Sequence, residues 1–202
     1  MMKRRMSILT VLILTVCLLV NTAPAEGILN GIRGEEENRG TAFSFRNNVR
    51  WNMTSQQVQA AEGLAMVERS QGEWKVLYPQ NRVEVSRFFA DLVYIFYRDQ
   101  LKLIMYEFDP SEPDTTFQYL LKALESVYGE TTAVSAEDIV GIMDLFYPGR
   151  YRTEALNRVT GWKTTDQTSV FLYYYSEKAF AILYASPDIG LTGETDYATN
   201  GL

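Results

Sequence analysis

The sequence contains no histidine. That removes Ser-His-Asp and Cys-His catalysis, histidine metal ligation and an imidazole pH switch. Its one cysteine, Cys17, lies in an apolar N-terminal run, so disulfides and cysteine nucleophiles are excluded from the rest of the chain. No glycine loop of the Walker or Rossmann type is present to cradle a phosphate. Basic residues are the minority, 19 against 25 acidic ones, for a net charge of −6. Such a balance gives no general attraction to nucleic acid or anionic lipid. No cofactor and no metal is expected. Catalysis, if any, falls to carboxylates, hydroxyls, lysine or tyrosine.

The one long apolar run is Met6 to Val20, preceded by Lys3-Arg4-Arg5 and followed by Ala23-Pro24-Ala25. This is the order of a secretory signal peptide, and the run is short for a membrane span of ~20 residues. Residues 1–25 are therefore expected to be removed, with an uncleaved anchor as the alternative. Cleavage would take three basic residues and no acidic one, leaving a net charge of −9. The expected product is a secreted or envelope-associated bacterial protein without cysteine and without a membrane span. Residues 26–41, with Glu35-Glu36-Glu37 and four glycines, read as a flexible leader. Residues 42–186 read as one domain, and the acidic 187–202 as a flexible tail.

What is abundant is aromatic strand sequence. Leu92 to Phe108 consists of two apolar runs around Arg98-Asp99-Gln100, a hairpin pattern. Val170 to Ser186 repeats it 78 positions later, with Tyr97 on Tyr175, Ile104 on Ile182 and Tyr106 on Tyr184. Strands are also expected over 42–53, 74–78 and 83–89. A first helix starts at Thr54, where Gln57 completes a capping box, and stops at Gly63. A second starts at Thr115 with Gln118 in the same role, buries Phe117, Leu121, Leu124 and Tyr128, and stops at Gly129. A third runs from Ser135 to Phe146, and 150–159 stays undecided. The fold class expected is α+β, an antiparallel sheet with two or three helices on one face and a tyrosine-rich, partly wet face opposite. Cap, helix, Trp and hairpin occur twice in this order, as in two degenerate repeats. Caps and hairpins recur in any α+β domain, so chance is the alternative.

Phe45 to Gly63, FRNNVRWNMTSQQVQAAEG, resembles a strand-to-helix opening of small exported bacterial proteins. With the doubled order of elements, it is similar to the fold of β-lactamase inhibitor proteins and outer-membrane-assembly lipoproteins. The resemblance implies helices on one sheet face and a protein-binding surface on the other. Asn52 stands where that opening usually has Gly. The inhibitors' disulfides and the lipoproteins' lipid-bearing cysteine are absent, and no contact residue carries over.

Two acidic groups, Asp109/Glu112/Asp114 and Glu137/Asp138, could serve glycoside hydrolysis, and the first could hold calcium. Acids in turns and first helical turns are ordinarily solvated, and that reading is preferred. Tyrosines suit a binding platform when their hydroxyls reach water, although strand tyrosines also pair across a core. The expected binding residues are Tyr94, Tyr106, Tyr173 and Tyr175 on the hairpins and Tyr147, Arg150, Tyr151 and Arg152 in the segment between them. The expected function is non-catalytic: protein binding through an aromatic sheet face. Carbohydrate or cell-wall glycan binding is the alternative, with a carboxylate hydrolase behind both.

Overall fold

A computed structural model of the chain describes residues 45–146, 149 and 151–189. Its helices are α1 (Ser55–Glu62), α2 (Pro113–Tyr128) and α3 (Ala136–Asp144). Its strands are β1 (Met66–Gln71), β2 (Trp74–Pro79), β3 (Val83–Val85) and β4 (Phe88–Tyr97), then β5 (Gln100–Phe108), β6 (Asn157–Lys163), β7 (Ser169–Tyr174) and β8 (Phe180–Ala185). They form one antiparallel sheet in the order β1-β2-β4-β5-β8-β7-β6, with β3 paired to the start of β4. The α+β class expected from the sequence is the one observed.

Both aromatic hairpins form. Arg98 and Asp99 make the two-residue turn between β4 and β5, both with left-handed backbone (φ 47° and 57°), the conformation such a turn requires. Neither is glycine, and side chains hold the turn instead. Arg98 donates to Glu73 at 2.7 Å, and Asp99 accepts from the Ser55 hydroxyl at 2.8 Å and Lys75 at 3.0 Å. The second hairpin lies beside the first, because β5 pairs with β8. Ile104 opposes Tyr184 and Tyr106 opposes Ile182. Residues equivalent by the 78-residue offset thus exchange partners across a local two-fold axis between Met105 and Leu183.

Register assigns each side chain a face. Leu92, Tyr94 and Phe96 on β4, Ile104 and Tyr106 on β5, and Ile182 and Tyr184 on β8 pack with Val58 of α1 and Phe117, Leu120 and Leu124 of α2. The alternate residues, among them Ile95, Leu103, Phe171 and Leu183, pack with Ile139, Ile142 and Met143 of α3. Two helices therefore share one face as expected, and the third lies on the opposite face. The hairpins are apolar on both faces, and a sheet of that kind needs covering on both.

Local chemistry explains where other elements depart from expectation. Residues 45–53 form a 3-10 turn at Arg46–Asn48 rather than a strand, since Asn47, Asn48 and Asn52 take φ of 52°, 59° and 63°. Asparagine tolerates that conformation, which glycine adopts freely. The capping boxes at Thr54/Gln57 and Ser135/Asp138 are present. Helix α2 starts two residues earlier than Thr115 because Pro113 occupies its first turn, and no side chain caps it. The sequence pattern missed β1, an exposed polar edge strand, and most of β6. Gly161 in β6 is required by close approach: a Cβ there would sit 2.9 Å from both Val134 Cγ1 and the Val170 carbonyl oxygen.

Between β4 and β5 the register slips by one residue, leaving Lys102 as the extra residue of a bulge. Its side chain is 4 % exposed and donates to Asn52 Oδ1 at 2.7 Å and to Asp188. Asp188 and the buried Ile189 belong to the fold, and the rest of the tail expected over 187–202 lies outside the described residues. The leader at 26–41 lies outside the described residues.

Two expectations follow. Leu124 is fully buried and Leu121 only partly, so Leu124→Ala should lower the urea-unfolding free energy by about 2–5 kcal/mol and Leu121→Ala by clearly less. Equal losses would misplace the helix face. Burial opposes the charge on Asp188, but hydrogen bonds from Lys102 and Ser186 outweigh it and hold the carboxyl below its ordinary 3.8. A depressed folded-state value stabilises the fold above about pH 4, and that contribution is lost as the pH falls through the folded value. Asp188→Asn should therefore reduce stability at neutral pH and flatten the acid limb of a stability–pH curve. Parallel acid limbs in parent and variant would remove Asp188 from that role.

Candidate functional site

A nine-residue helix is about 13 Å long and 10 Å across. Strands stand about 4.8 Å apart, so α3 covers at most about three of the seven strands in the main sheet path. It sits with Leu103, Phe171 and Leu183 on β5, β7 and β8. Among the described residues, this face of β1 and β2, and of β4 around Asp91 and Val93, stays open and forms a groove of about 610 Å3. Trp74, Val76 and Tyr78 of β2, Val93 of β4 and Met105 of β5 line it, with Phe146 and Tyr151 along the α3 side. Asp91 and Glu107 line the β4–β5 end, and Arg69 and Gln71 the β1 end. Trp74, Val76, Tyr78, Val93 and Tyr151 are all partly exposed. Trp74 packs its ring 4.9 Å from Tyr97 and 5.8 Å from Phe146 (centroid to centroid), which fixes it at the groove's end.

The sequence-predicted site residues divide. Tyr94, Tyr106 and Tyr173 are buried at 0 %, 3 % and 0 % exposure and meet no solvent. This overturns the tyrosine platform on the hairpins. Tyr94 and Tyr106 point into the face covered by α1 and α2, and Tyr173 lies in the cluster beneath α3. Tyr94 donates to Glu62, a carboxylate that is itself fully buried and lies 3.2 Å from Arg46 Nε. Burial first, then Tyr106 and Glu62, raises the Tyr94 hydroxyl well above its ordinary value. Tyr151 lines the groove, Arg152 is exposed beside it, and Tyr175 is partly exposed on the same face. Tyr147 and Arg150 lie outside the described residues.

Sequence reasoning missed Trp74, Tyr78, Asp91 and Glu107 as site residues. The alternation of β4 (exposed Phe89 and Asp91, half-exposed Val93) with buried Ala90 and Leu92 was the available signal. Read as a face, it runs toward the groove.

Three of the five acidic residues weighed for catalysis or calcium have structural partners. Asp109 pairs with Arg82, and Asp114 with Arg158 and the Tyr174 hydroxyl. Asp138 closes its helix cap. Among the described residues no three carboxylates converge to hold a metal ion. One nucleophile lies beside an amine: Lys75 Nζ is 2.8 Å from Ser55 Oγ. The hydrogen bond to Asp99 raises the Lys75 pKa against its desolvation, a shift away from what a base toward Ser55 needs. Among the described residues no helix is long and apolar enough to cross a membrane. Comparison of the chain with protein-family models, curated proteins and solved structures finds no match.

If Tyr94 is a core residue, Tyr94→Phe costs about 1.5–3 kcal/mol, the worth of a hydrogen bond to a charged acceptor, and leaves ligand binding intact. Lost binding at unchanged stability would return Tyr94 to the site.

Proposed function

We propose that this is an exported, non-catalytic binding module that holds a protein partner in the groove over β1, β2, β4 and β5. The observation that carries this reading is the half-uncovered second face. Most of the sheet is buried on both sides, yet Trp74, Val76, Tyr78, Val93 and Tyr151 remain partly exposed together around one concavity. Rigid aromatic side chains around an apolar floor, with charges at the rim, are the composition of interaction hot spots. Export is supported by the signal-like N-terminus. Kinship with the inhibitor and assembly-lipoprotein fold is supported by the joining of two helix-plus-hairpin halves edge to edge, and by the left-handed Asn52 where that opening has Gly. That support concerns fold and assigns no partner.

Glycan binding is the second reading. The observation favouring it is that Asp91 and Glu107 stand beside half-exposed rings, a set able to accept hydroxyl hydrogen bonds and stack a sugar face.

The Tyr78→Ala/Tyr151→Ala variant decides between them. Both rings are partly exposed and Tyr151 also packs on the α3 cluster, so the variant's melting temperature is measured beside its binding to separate a lost site from a lost fold. Loss of retention of a purified envelope-protein fraction, with no change toward soluble cell-wall fragments, would support the protein-binding reading. Loss confined to the glycan fragments would replace it with the second. Unchanged retention of both would remove the groove as the site.

A further inference from the structure

Three segments far apart in the chain bring an amine, a carboxamide and a carboxylate together at Lys102. Backbone hydrogen bonds fix all three. Asn52 donates its N–H to the Leu101 carbonyl at 3.2 Å, Leu101 donates to the Met53 carbonyl at 2.9 Å, and Ser186 donates to the Lys102 carbonyl at 2.9 Å. On that frame Lys102 Nζ lies 2.7 Å from Asn52 Oδ1 and also bonds Asp188, whose other oxygen accepts from the Ser186 hydroxyl. Asn52 holds its carboxamide there from a left-handed backbone (φ 63°), a conformation uncommon outside glycine. Burial is unequal: the Lys102 side chain is 4 % exposed and that of Asp188 48 %, while Asn52 is an exposed residue. Lys75, a partly buried amine elsewhere, meets a hydroxyl and two carboxylates instead.

We propose that Lys102 and Asn52 become joined by an intramolecular isopeptide bond, with Asp188 carrying the proton. A carbonyl bond is about 1.2 Å long, so a nitrogen 2.7 Å from Oδ1 lies at most about 3.9 Å from Cγ. A small rotation of the carboxamide brings the two atoms to the ~3–3.5 Å at which such groups react. The Lys102 ammonium gives one proton to Asp188, and the resulting amine attacks Cγ. The new C–N bond forms, the bond from Cγ to Nδ2 breaks, and Asp188 returns its proton to the departing nitrogen. A second proton lost by the amine leaves with that nitrogen as ammonium, and Asp188 ends as a carboxylate. Nothing is oxidised or reduced, and no co-reactant is needed. Pairing with Lys102 and Ser186 favours the charged Asp188, so the step is slow. It has to occur only once per molecule, and the exposed position of Asn52 lets ammonia escape. The product also removes the costly charge of the pair: the buried ammonium becomes a neutral amide, while the carboxylate left behind is the half-exposed one.

The test is mass spectrometry of the full chain as isolated and after storage at neutral pH, intact and after trypsin. The expected parent is lighter than its sequence by the mass of one ammonia. Its digest contains a branched peptide joining residues 51–69 to 99–122, because trypsin does not cut after an acylated Lys102. Lys102→Arg keeps the charge and the donors without the nucleophile, and is expected at its full sequence mass. In Asp188→Ala the linked fraction at a fixed early time should fall more than tenfold, the least that a lost proton carrier costs. A stored parent at full mass, with 51–69 and 99–102 as separate peptides, would overturn the proposal and leave an ordinary ion pair. Equal linkage in parent and Asp188→Ala would overturn the role of the carboxylate and keep the bond. If Asp188→Ala is unfolded by circular dichroism, the isosteric Asp188→Asn carries that comparison, with the digest showing which residue is linked.

Discussion

The pairing of β5 with β8 is the joint on which the rest of the structure depends. It brings together hairpins 78 residues apart in the chain, so it closes over α2, α3, β6 and β7. Most side chains of β5, β7 and β8 are buried on both faces. Unpaired, each half would expose a long apolar edge, the feature that drives strand addition and aggregation. Joined, the two edges vanish into the sheet centre and the remaining edges are β1 and β6. Strand β1 is polar and mostly exposed, carrying Glu68 and Arg69, and charges of this kind blunt a free edge.

Buried charges tie the outer segments to that centre. Lys102 leaves the ladder at the bulge and bonds Asn52 on one side and Asp188 on the other. Three segments far apart in sequence thereby meet at one amine. Glu62, at the end of α1, plays a comparable part with Arg46, Asn47 and the Tyr94 hydroxyl. A buried charge is costly without partners. Each of these positions is therefore sensitive to the arrangement of its neighbours, which makes them specifying contacts rather than generic packing.

Coverage of the two faces is unequal, and the groove is its consequence. The first face takes α1, the sixteen-residue α2 and the turn around Phe45 and Val49. Among the described residues the second takes the shorter α3 with Phe146, Leu156 and Ile189. Phe89, 61 % exposed, continues the uncovered stripe of β4 beyond Asp91. The concavity thus follows from helix length against sheet width.

The sequence by itself determined the class of fold, the two hairpins with their 78-residue relation, two of the three helix starts and the absence of histidine chemistry. These are local properties. Alternation and the Thr54 and Ser135 capping boxes depend on residues close in the chain. Which face each tyrosine occupied was decided only by tertiary structure. Tyr94 and Tyr151 are the same residue type in aromatic surroundings, yet one lies under α1 and α2 and the other beside an open groove. A strand that is apolar on both faces carries no mark of which face will be covered, because that depends on where α3 docks and how far it reaches. Opposition of Asp91 and Glu107 is equally invisible in the chain, since it depends on a register set by the Lys102 bulge. The groove exists at the meeting of those two long-range decisions, so only the folded molecule shows it.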